Sequence, residues 1–180
     1  KSKLKDSREL KVGDILIGLP SSGIHSNRFS LVRKVLFKDA GLDPHKEVEA
    51  LDGKKLGHVL LEPTRIYVKA VHALLDKVNI HAMSHITGGG FYENIPRMLK
   101  DGMGVEIDSS SFPRPKIFDF IQQTGNIPEK EMYNVFNMGL GFVMAVDESD
   151  VEKVQTILKE MNEESYVVGK VTDSGKVDIR

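Results

Sequence analysis

The sequence predicts an α/β domain in which helices pack on a sheet in layers. Short apolar runs bounded by glycine or proline alternate with longer segments whose apolar residues recur three and four positions apart. These are the patterns of buried strands and of amphipathic helices. The chain has 180 residues, of which 40% are hydrophobic and 28% are charged, so it can bury one substantial core. We therefore expect a single domain over residues 13–180, without an internal linker.

Five segments are predicted to be strands because they are short, apolar and bounded by turn residues. They cover residues 14–19, 79–86, 104–107, 141–146 and 166–171.

Six segments are predicted to be helices. The first begins at Ser26 or Asn27, either of which can cap it, and ends at Gly41. The second covers residues 63–77, with Pro63 in the first turn, where a missing N–H group does no harm. The others cover residues 92–99, 116–124, 128–133 and 149–161. The polar segment 43–57 is expected to be a loop.

Composition excludes several classes of function. With 25 Lys and Arg against 26 Asp and Glu, the net charge is −1, so a surface that wraps a nucleic acid duplex is not indicated, although a local basic patch stays open. The absence of cysteine removes disulfides, thiolate metal sites and cysteine nucleophiles. No apolar run approaches the roughly 18 residues of a membrane helix, and no secretory leader is visible. We expect a soluble, cytoplasmic protein that binds neither nucleic acid nor membrane.

The polar opening segment, residues 1–12, begins at Lys1 and not at a methionine. It predicts a linker from a preceding domain, or alternatively a trimmed tag or a processed terminus.

A first candidate site lies between the first strand and the first helix. It comprises the small and polar residues Ser21, Ser22, Gly23, His25, Ser26 and Asn27. Such a loop at a helix N-terminus exposes backbone N–H groups that suit a phosphate, while His25 and Asn27 can bind or shuttle protons. An ordinary strand–turn–helix with a Ser or Asn cap explains the pattern equally well. The loop lacks the Gly-Lys-Ser/Thr ending of a P-loop.

A second candidate site follows the strand that ends near His85. Thr87 precedes three adjacent glycines, Gly88, Gly89 and Gly90. Adjacent glycines cost conformational entropy and are useful where the backbone approaches a ligand closely or takes positive φ. A loose turn is the alternative, but we favour ligand approach.

No metal site is predicted. His81 and His85 lie four residues apart on a predicted strand, which separates them by about 13 Å, too far for one ion. The aspartates show no spaced carboxylate pair, and Ser22 and His25 are too weakly constrained to predict a serine nucleophile. Asn137, with Gly139 close behind it, is expected to hold a neighbouring loop by hydrogen bonds as structural support.

Four motifs together resemble the phosphoribosylformylglycinamidine cyclo-ligase (aminoimidazole ribonucleotide synthetase) family of purine biosynthesis. They are Pro-Ser-Ser-Gly-Ile-His-Ser-Asn over 20–27, Leu-Glu-Pro-Thr-Arg-Ile-Tyr-Val over 61–68, His-Ile-Thr-Gly-Gly-Gly over 85–90 and Phe-Asn-Met-Gly over 136–139. The resemblance is to the C-terminal half of that family. It implies a three-layer α/β/α (α+β) domain with a mixed sheet, partly ferredoxin-like, preceded by an N-terminal domain that is not in this chain.

The resemblance also implies a function. The family converts formylglycinamidine ribonucleotide to aminoimidazole ribonucleotide with ATP and Mg²⁺. The groups that bind ATP and Mg²⁺ are expected to lie mainly in the N-terminal half. It implies a homodimer, and a fragment that is inactive alone. Carried over, the residues expected to hold the ribonucleotide are Ser21, Ser22, Gly23, Ser26, Asn27, Thr87, Gly88, Gly89 and Gly90. His25 is the candidate for proton transfer or a phosphate contact, since an imidazole switches charge near working pH.

Two alternatives remain beside this assignment. The domain could belong to a related amidotransferase, selenophosphate synthetase or thiamine-monophosphate kinase, or it could be a non-catalytic interaction domain. One departure from the family stands at Arg28, where the family usually has glycine. Arg28 would face solvent, add a phosphate contact or alter the site.

Overall fold

A computed structural model describes residues 9–25 and 27–180 of the chain. In these residues, eight strands form one six-stranded sheet and one two-stranded hairpin. The strands are β1 (Ile15–Pro20), β2 (Glu47–Val48), β3 (Lys54–Lys55), β4 (Ile80–His85), β5 (Gly104–Ile107), β6 (Leu140–Val146), β7 (Tyr166–Thr172) and β8 (Val177–Ile179). The order in the large sheet is β4-β6-β1-β7-β5-β8. Only the β5–β8 pair is parallel, so the sheet is mixed, as predicted.

Seven α-helices pack against this sheet in the described part of the chain. They are α1 (Phe29–Arg33), α2 (Leu56–Leu60), α3 (Val68–Leu75), α4 (Gly90–Asn94), α5 (Lys116–Gly125), α6 (Glu129–Val135) and α7 (Val151–Glu160). Helix α1 continues as a π-helix over Lys34–Asp39, and short 3₁₀ turns cover Glu49–Leu51, Ile95–Met98 and Glu148–Asp150.

Both faces of the large sheet are buried, which makes three layers. Along β6, Val143 and Ala145 lie in one core, whereas Phe142 and Met144 lie in the other, as the two-residue period of a strand requires. Helices α3 and α7 cover the second core. Helices α1, α4, α5 and α6 cover the first, with Phe118 of α5 completely buried there. The predicted three-layer fold is confirmed.

The central part of the sheet has ferredoxin-like topology. The order β1, α3, β4, β6, α7, β7 along the chain is a βαββαβ unit. Its four strands lie in the order β4-β6-β1-β7, and its two helices pack against each other on the same face. Strands β5 and β8 extend the sheet beyond β7. The predicted partly ferredoxin-like topology is therefore confirmed.

The predicted start of the second helix is wrong. Helix α3 begins at Val68, not at Pro63. Tertiary hydrogen bonds hold the preceding residues outside the helix: the Ser22 hydroxyl donates to the Pro63 carbonyl at 2.5 Å, and the Arg65 N–H group donates to His25 Nε2 at 3.3 Å. Contacts from a loop 40 residues away thus override the helical preference of the segment.

Other differences are local. Helix α1 begins at Phe29, after Arg28 in a left-handed conformation and without a side-chain cap, so the predicted cap by Asn27 is wrong and Ser26 lies outside the described residues. The segment 43–57, predicted as a loop, contains the β2–β3 hairpin and the start of α2. Strand β8 was not predicted, because three residues are too short to show an alternating pattern.

Candidate functional site

The loop that follows β1 is held by Asn137, a buried side chain at 2% exposure. The Ser21 hydroxyl donates to Asn137 Oδ1 at 2.8 Å, and Asn137 Nδ2 donates to the Gly23 carbonyl at 2.8 Å. The Gly139 N–H group also donates to Asn137 Oδ1, at 2.9 Å. The Ser21 hydroxyl proton is therefore used inside the fold, and Asn137 sets the shape of the loop.

Gly139 adds a backbone contact to the same loop. Its carbonyl accepts a hydrogen bond from the Ser21 N–H group at 2.9 Å. Its φ is +106°, and a Cβ there would lie 2.5 Å from the Pro113 carbonyl oxygen. Only glycine fits at this position without displacing the backbone.

His25 lies at the end of this loop and joins it to the segment before α3. The ring is 4% exposed. Its Nε2 accepts from the Ser22 N–H group at 2.9 Å and from the Arg65 N–H group at 3.3 Å, and it lies 3.0 Å from the Ser22 hydroxyl. Nδ1 is buried and has no hydrogen-bond partner among the residues that the structure describes.

The environment of His25 keeps the ring neutral. Burial, with smaller contributions from the nearby His85 and Arg65, lowers its pKa from 6.5 to about 4. Burial also lowers the pKa of His85. The expectation that His25 changes charge near working pH is therefore wrong, because a solvated imidazole was assumed and the folded chain buries this one.

The buried ring of Tyr67 lies next to that of His25. Its hydroxyl donates to the Pro20 carbonyl at 2.8 Å, and burial raises its pKa. The ring centroid lies 5.5 Å from that of His85 and 6.3 Å from that of His25. A Cβ at Gly141 would overlap the Tyr67 hydroxyl. The sequence analysis quoted Tyr67 in a motif but assigned it no role, and it did not single out Gly141.

The glycine loop, Thr87 to Gly90, is held by a second buried asparagine, Asn94. Asn94 Nδ2 donates to the Gly90 carbonyl at 2.8 Å and to the Thr87 carbonyl at 3.3 Å. The Thr87 hydroxyl donates to Asn94 Oδ1 at 3.1 Å. Asn94 belongs to the sequence Asn-Ile-Pro-Arg over 94–97, which accompanies the glycine motif in the family resemblance, but sequence reasoning assigned it no role.

The structure explains why the last residue of this loop is glycine without invoking a ligand. Gly90 has φ +61°, and a Cβ there would overlap the carbonyl oxygen of Tyr133 on α6. Gly88 is more open: its nearest neighbours would be Arg28 Nε at 3.8 Å and Asn27 Oδ1 at 4.0 Å. Ligand approach therefore applies better to Gly88 than to Gly90.

Arg28 joins the two loops. Its Nε donates to the Gly88 carbonyl at 2.5 Å, and its backbone is left-handed, with φ +55°. An L-residue is strained there, whereas glycine is not. The glycine that the family resemblance leads us to expect at this position would have a conformational reason, and Arg28 is exposed.

A cavity of about 930 Å³ opens beside the first loop. Ser21, Ser22 and Gly23 line it, but no residue of the glycine loop does, so the structure does not bring both loops into one cavity. Its wall carries both acidic side chains and basic ones. The basic ones are Lys54, Lys55, His58, Arg65, Arg114 and Lys116.

The described residues contain no group of three or more His, Asp or Glu that could hold a metal ion. His81 instead contacts the buried Asp14, with Nδ1 2.6 Å from Oδ2. In the same part of the chain, none of the helices is long and apolar enough to span a membrane.

Solved structures share this fold at low sequence identity. A thiamine-monophosphate kinase from Stenotrophomonas maltophilia K279a matches with a TM-score of 0.62 and 12% identity, over 97% of this chain and 52% of that one. The E. coli hydrogenase maturation protein HypE matches with a TM-score of 0.62 and 19% identity, over 97% and 48%. A structure of AaThiL complexed with AMPPCP and TMP matches with a TM-score of 0.58 and 15% identity, over 97% and 50%. The chain thus has the fold found in about half of each of these proteins.

Sequence comparison is more specific. Residues 11–180 match the family model of the AIR synthase related protein, C-terminal domain, and the chain belongs to this family. It is 53% identical over 169 residues to a phosphoribosylformylglycinamidine cyclo-ligase of Staphylococcus carnosus (strain TM300), covering 94% of this chain and 48% of that protein. Identity to the protein of the same name from Bifidobacterium longum (strain DJO10A) is 50%, covering 96% and 50%. The chain spans about half the length of these relatives.

Proposed function

We propose that this chain is the C-terminal, substrate-binding half of an ATP-dependent cyclo-ligase. The enzyme converts formylglycinamidine ribonucleotide to aminoimidazole ribonucleotide, ADP and phosphate. The observation that carries the proposal is identity of about half over nearly the whole chain to proteins named as this cyclo-ligase. The AIR synthase related family model, matched over residues 11–180, supports it independently.

The reaction needs a leaving group at the formyl carbon. Transfer of the γ-phosphoryl group of ATP to the formyl oxygen creates one, the amine nitrogen attacks that carbon, and phosphate departs as the ring closes. Little of this requires covalent chemistry from the protein, so positioning of the substrate and stabilisation of charge dominate.

We place the ribonucleotide on the loop over residues 21–27 and on the glycine loop over residues 87–90. Within the described residues, the N–H groups of Gly23 and Gly88 make no hydrogen bond, so they are suited to phosphate oxygens. The hydroxyl of Ser21 and that of Thr87 are already donated within the fold, which makes them supports of the loops.

The neighbouring cavity has room for a ribonucleotide, and Lys54 and Lys55 on its wall are suited to offset phosphate charge. The other lysine and the arginines of the wall form ion pairs with acidic side chains, as Arg65 does with Glu163 and Lys116 with Asp52.

ATP and Mg²⁺ are proposed to bind mainly to an N-terminal domain. The AaThiL structure that contains AMPPCP supports a nucleotide in a protein of this fold. The described residues hold no acidic cluster suited to Mg²⁺, and we derive no step from a metal bound to this chain.

An apolar surface beside the site is proposed to contact that N-terminal domain. Leu61, Ile66 and Val68 are 70, 78 and 62% exposed, and they lie within or close to the segment 63–67 that contacts His25. Large exposed apolar groups clustered on one segment mark contact surfaces. We also propose that residues 1–12 link the two domains, that the full enzyme is a homodimer and that it acts in the cytoplasm.

The test is an assay of the full-length protein that contains this chain. Formylglycinamidine ribonucleotide, thiamine monophosphate and selenide are each supplied with ATP and Mg²⁺, and products are identified by mass spectrometry. The proposal expects aminoimidazole ribonucleotide, with ADP and phosphate in equal amounts. Phosphorylation of thiamine monophosphate or formation of selenophosphate would assign the protein to a related enzyme of the same fold. ATP turnover with none of the three would overturn the cyclo-ligase assignment.

A further inference from the structure

The hydrogen bonds of His25 determine which of its ring nitrogens carries the proton. Two backbone N–H groups, those of Ser22 and Arg65, point at Nε2 at 2.9 and 3.3 Å. A backbone N–H group can only donate, so Nε2 must offer its lone pair. In a neutral imidazole the proton then resides on Nδ1.

The surroundings oppose a second proton on this ring. The side chain of His25 is buried, and the charged or titratable groups that face it from the packed elements are His85 of β4 and Arg65 and Tyr67 of the segment before α3. None of these is an acid that would stabilise an imidazolium. A proton on Nε2 would also point at the N–H groups of Ser22 and Arg65.

His25 is not arranged to relay a proton, because neither of its ring nitrogens has the contacts that such a role requires. A general base needs a free lone pair within reach of the substrate, but Nε2 is occupied by two amides. A general acid or a triad histidine needs a partner that orients the second nitrogen, but within residues 9–25 and 27–180 no group makes a hydrogen bond to Nδ1. The ring is therefore placed as a connector between two segments of backbone.

We propose that His25 is a positioning residue that works as a neutral imidazole with its proton on Nδ1. Its Nε2 draws together the loop that begins at Ser21 and the segment from Pro63 to Tyr67, and the side chain transfers no proton. The Ser22 hydroxyl reinforces the same junction by donating to the Pro63 carbonyl. This junction fixes the position of Arg65, which lines the cavity and pairs with Glu163 at 2.6 Å.

The first test uses the 180-residue chain and does not depend on the proposed function. Imidazole ¹⁵N resonances are recorded from pH 8 to pH 5.5, and His25 is assigned by the signal that disappears in the His25→Gln variant. The expected spectrum shows a protonated Nδ1 and an unprotonated Nε2 throughout, with the exposed His45 as an internal comparison. An Nε2–H tautomer, or protonation of His25 above pH 6, would overturn the proposal.

The second test measures turnover in the full-length protein and rests on the proposed function. The amide oxygen of glutamine can accept from the Ser22 and Arg65 N–H groups but cannot titrate, whereas leucine can do neither. We expect His25→Gln to keep kcat within about threefold and an unchanged pH profile, and His25→Leu to lose at least about tenfold. The amide resonances of Ser22 and Arg65 should shift only in the leucine variant.

The control for these variants is His72→Gln on the exposed face of α3, which should match the wild type. Equal, large losses of kcat in His25→Gln and His25→Leu, with the two amide resonances unmoved in the glutamine variant, would show that proton transfer is required and would overturn the proposal. If the wild-type protein shows no ring closure, the proposed function fails, while the ¹⁵N spectrum still decides the tautomer of His25.

Discussion

Asn137 Nδ2 donates to the carbonyl of Gly23 at 2.8 Å, across 114 positions of sequence. The contact ties the end of β1 to the residues that lead into β6, which are neighbours in the sheet. Because Asn137 Oδ1 also accepts from the Ser21 hydroxyl and the Gly139 N–H group, one buried amide sets the backbone of the first candidate loop. These three hydrogen bonds fix the first part of this loop, from Ser21 to Gly23, against the residues before β6.

Replacing this amide should destabilise the fold. We expect Asn137→Ala to lower the free energy of unfolding by about 2–4 kcal/mol, because three hydrogen bonds are lost and buried partners stay unsatisfied. Urea unfolding followed by circular dichroism measures the change. Asn134→Ala, on the exposed face of α6, is the matched control and should alter stability by less than about 0.5 kcal/mol. Equal effects of the two substitutions would refute the role assigned to Asn137.

Substitutions of glycine can separate the cost of a steric overlap from the cost of a left-handed backbone. Gly90→Ala meets both penalties, since φ is +61° and the added Cβ would overlap the Tyr133 carbonyl oxygen. Gly102→Ala meets only the first, since φ is +82° and nothing lies within 4 Å. We expect a loss of about 1 kcal/mol for Gly102→Ala and at least about 2 kcal/mol more for Gly90→Ala. Unfolding midpoints that coincide would mean that α6 can move away from Gly90 at no cost.

The departure at Arg28 is also testable. Arg28→Gly and Arg28→Ala both remove the hydrogen bond to the Gly88 carbonyl, but only alanine keeps the strain of an L-residue at φ +55°. The glycine variant should therefore be more stable than the alanine variant by about 1 kcal/mol. Parallel denaturant titrations compare them. A more stable alanine variant would show that residue 28 is not left-handed in solution.

Stability should fall in mild acid because of His25. The unfolded chain binds a proton there near pH 6.5, whereas the folded chain does so only at about pH 4. Above pH 6.5 both states are neutral at His25 and the residue has no effect. As the pH falls from 6.5 towards 4, the unfolded state alone gains protons, so up to about 3 kcal/mol of stability is lost.

The difference between wild type and His25→Gln isolates this effect. Free energies of unfolding measured at several pH values between 7.5 and 4.5 should converge or cross as the pH falls, since the variant lacks the titrating group. Curves that stay parallel over this range would show that His25 has the same pKa in both states.

The strands could be predicted from sequence because burial on both faces leaves an apolar run. Strand β5 occupies the predicted residues, and β6 begins one residue earlier than predicted. The pattern could not predict the sheet order, since pairing depends on contacts between distant segments. The ferredoxin-like topology was expected only from the family resemblance, which the structure confirms.

The candidate site was predictable in its location but not in its chemistry. The loops around Ser22 and Gly88 follow strands, as the turn residues indicated, and Asn137 contacts the first of them. The neutral state of His25 follows mainly from the burial of its ring in the folded chain, which the residues around position 25 do not show. The start of α3 likewise depends on contacts with the distant loop after β1, in which Ser22 binds the Pro63 carbonyl and His25 binds the Arg65 N–H group.

Hydrogen exchange on the full-length protein tests the central claim most directly. Deuterium uptake is followed by mass spectrometry with and without formylglycinamidine ribonucleotide. Binding of the ribonucleotide to this domain predicts slower exchange in the loops over residues 21–27 and 87–90, and unchanged exchange in β8 at the edge of the sheet. Protection confined to the N-terminal domain, with both loops unchanged at saturating ribonucleotide, would contradict the account.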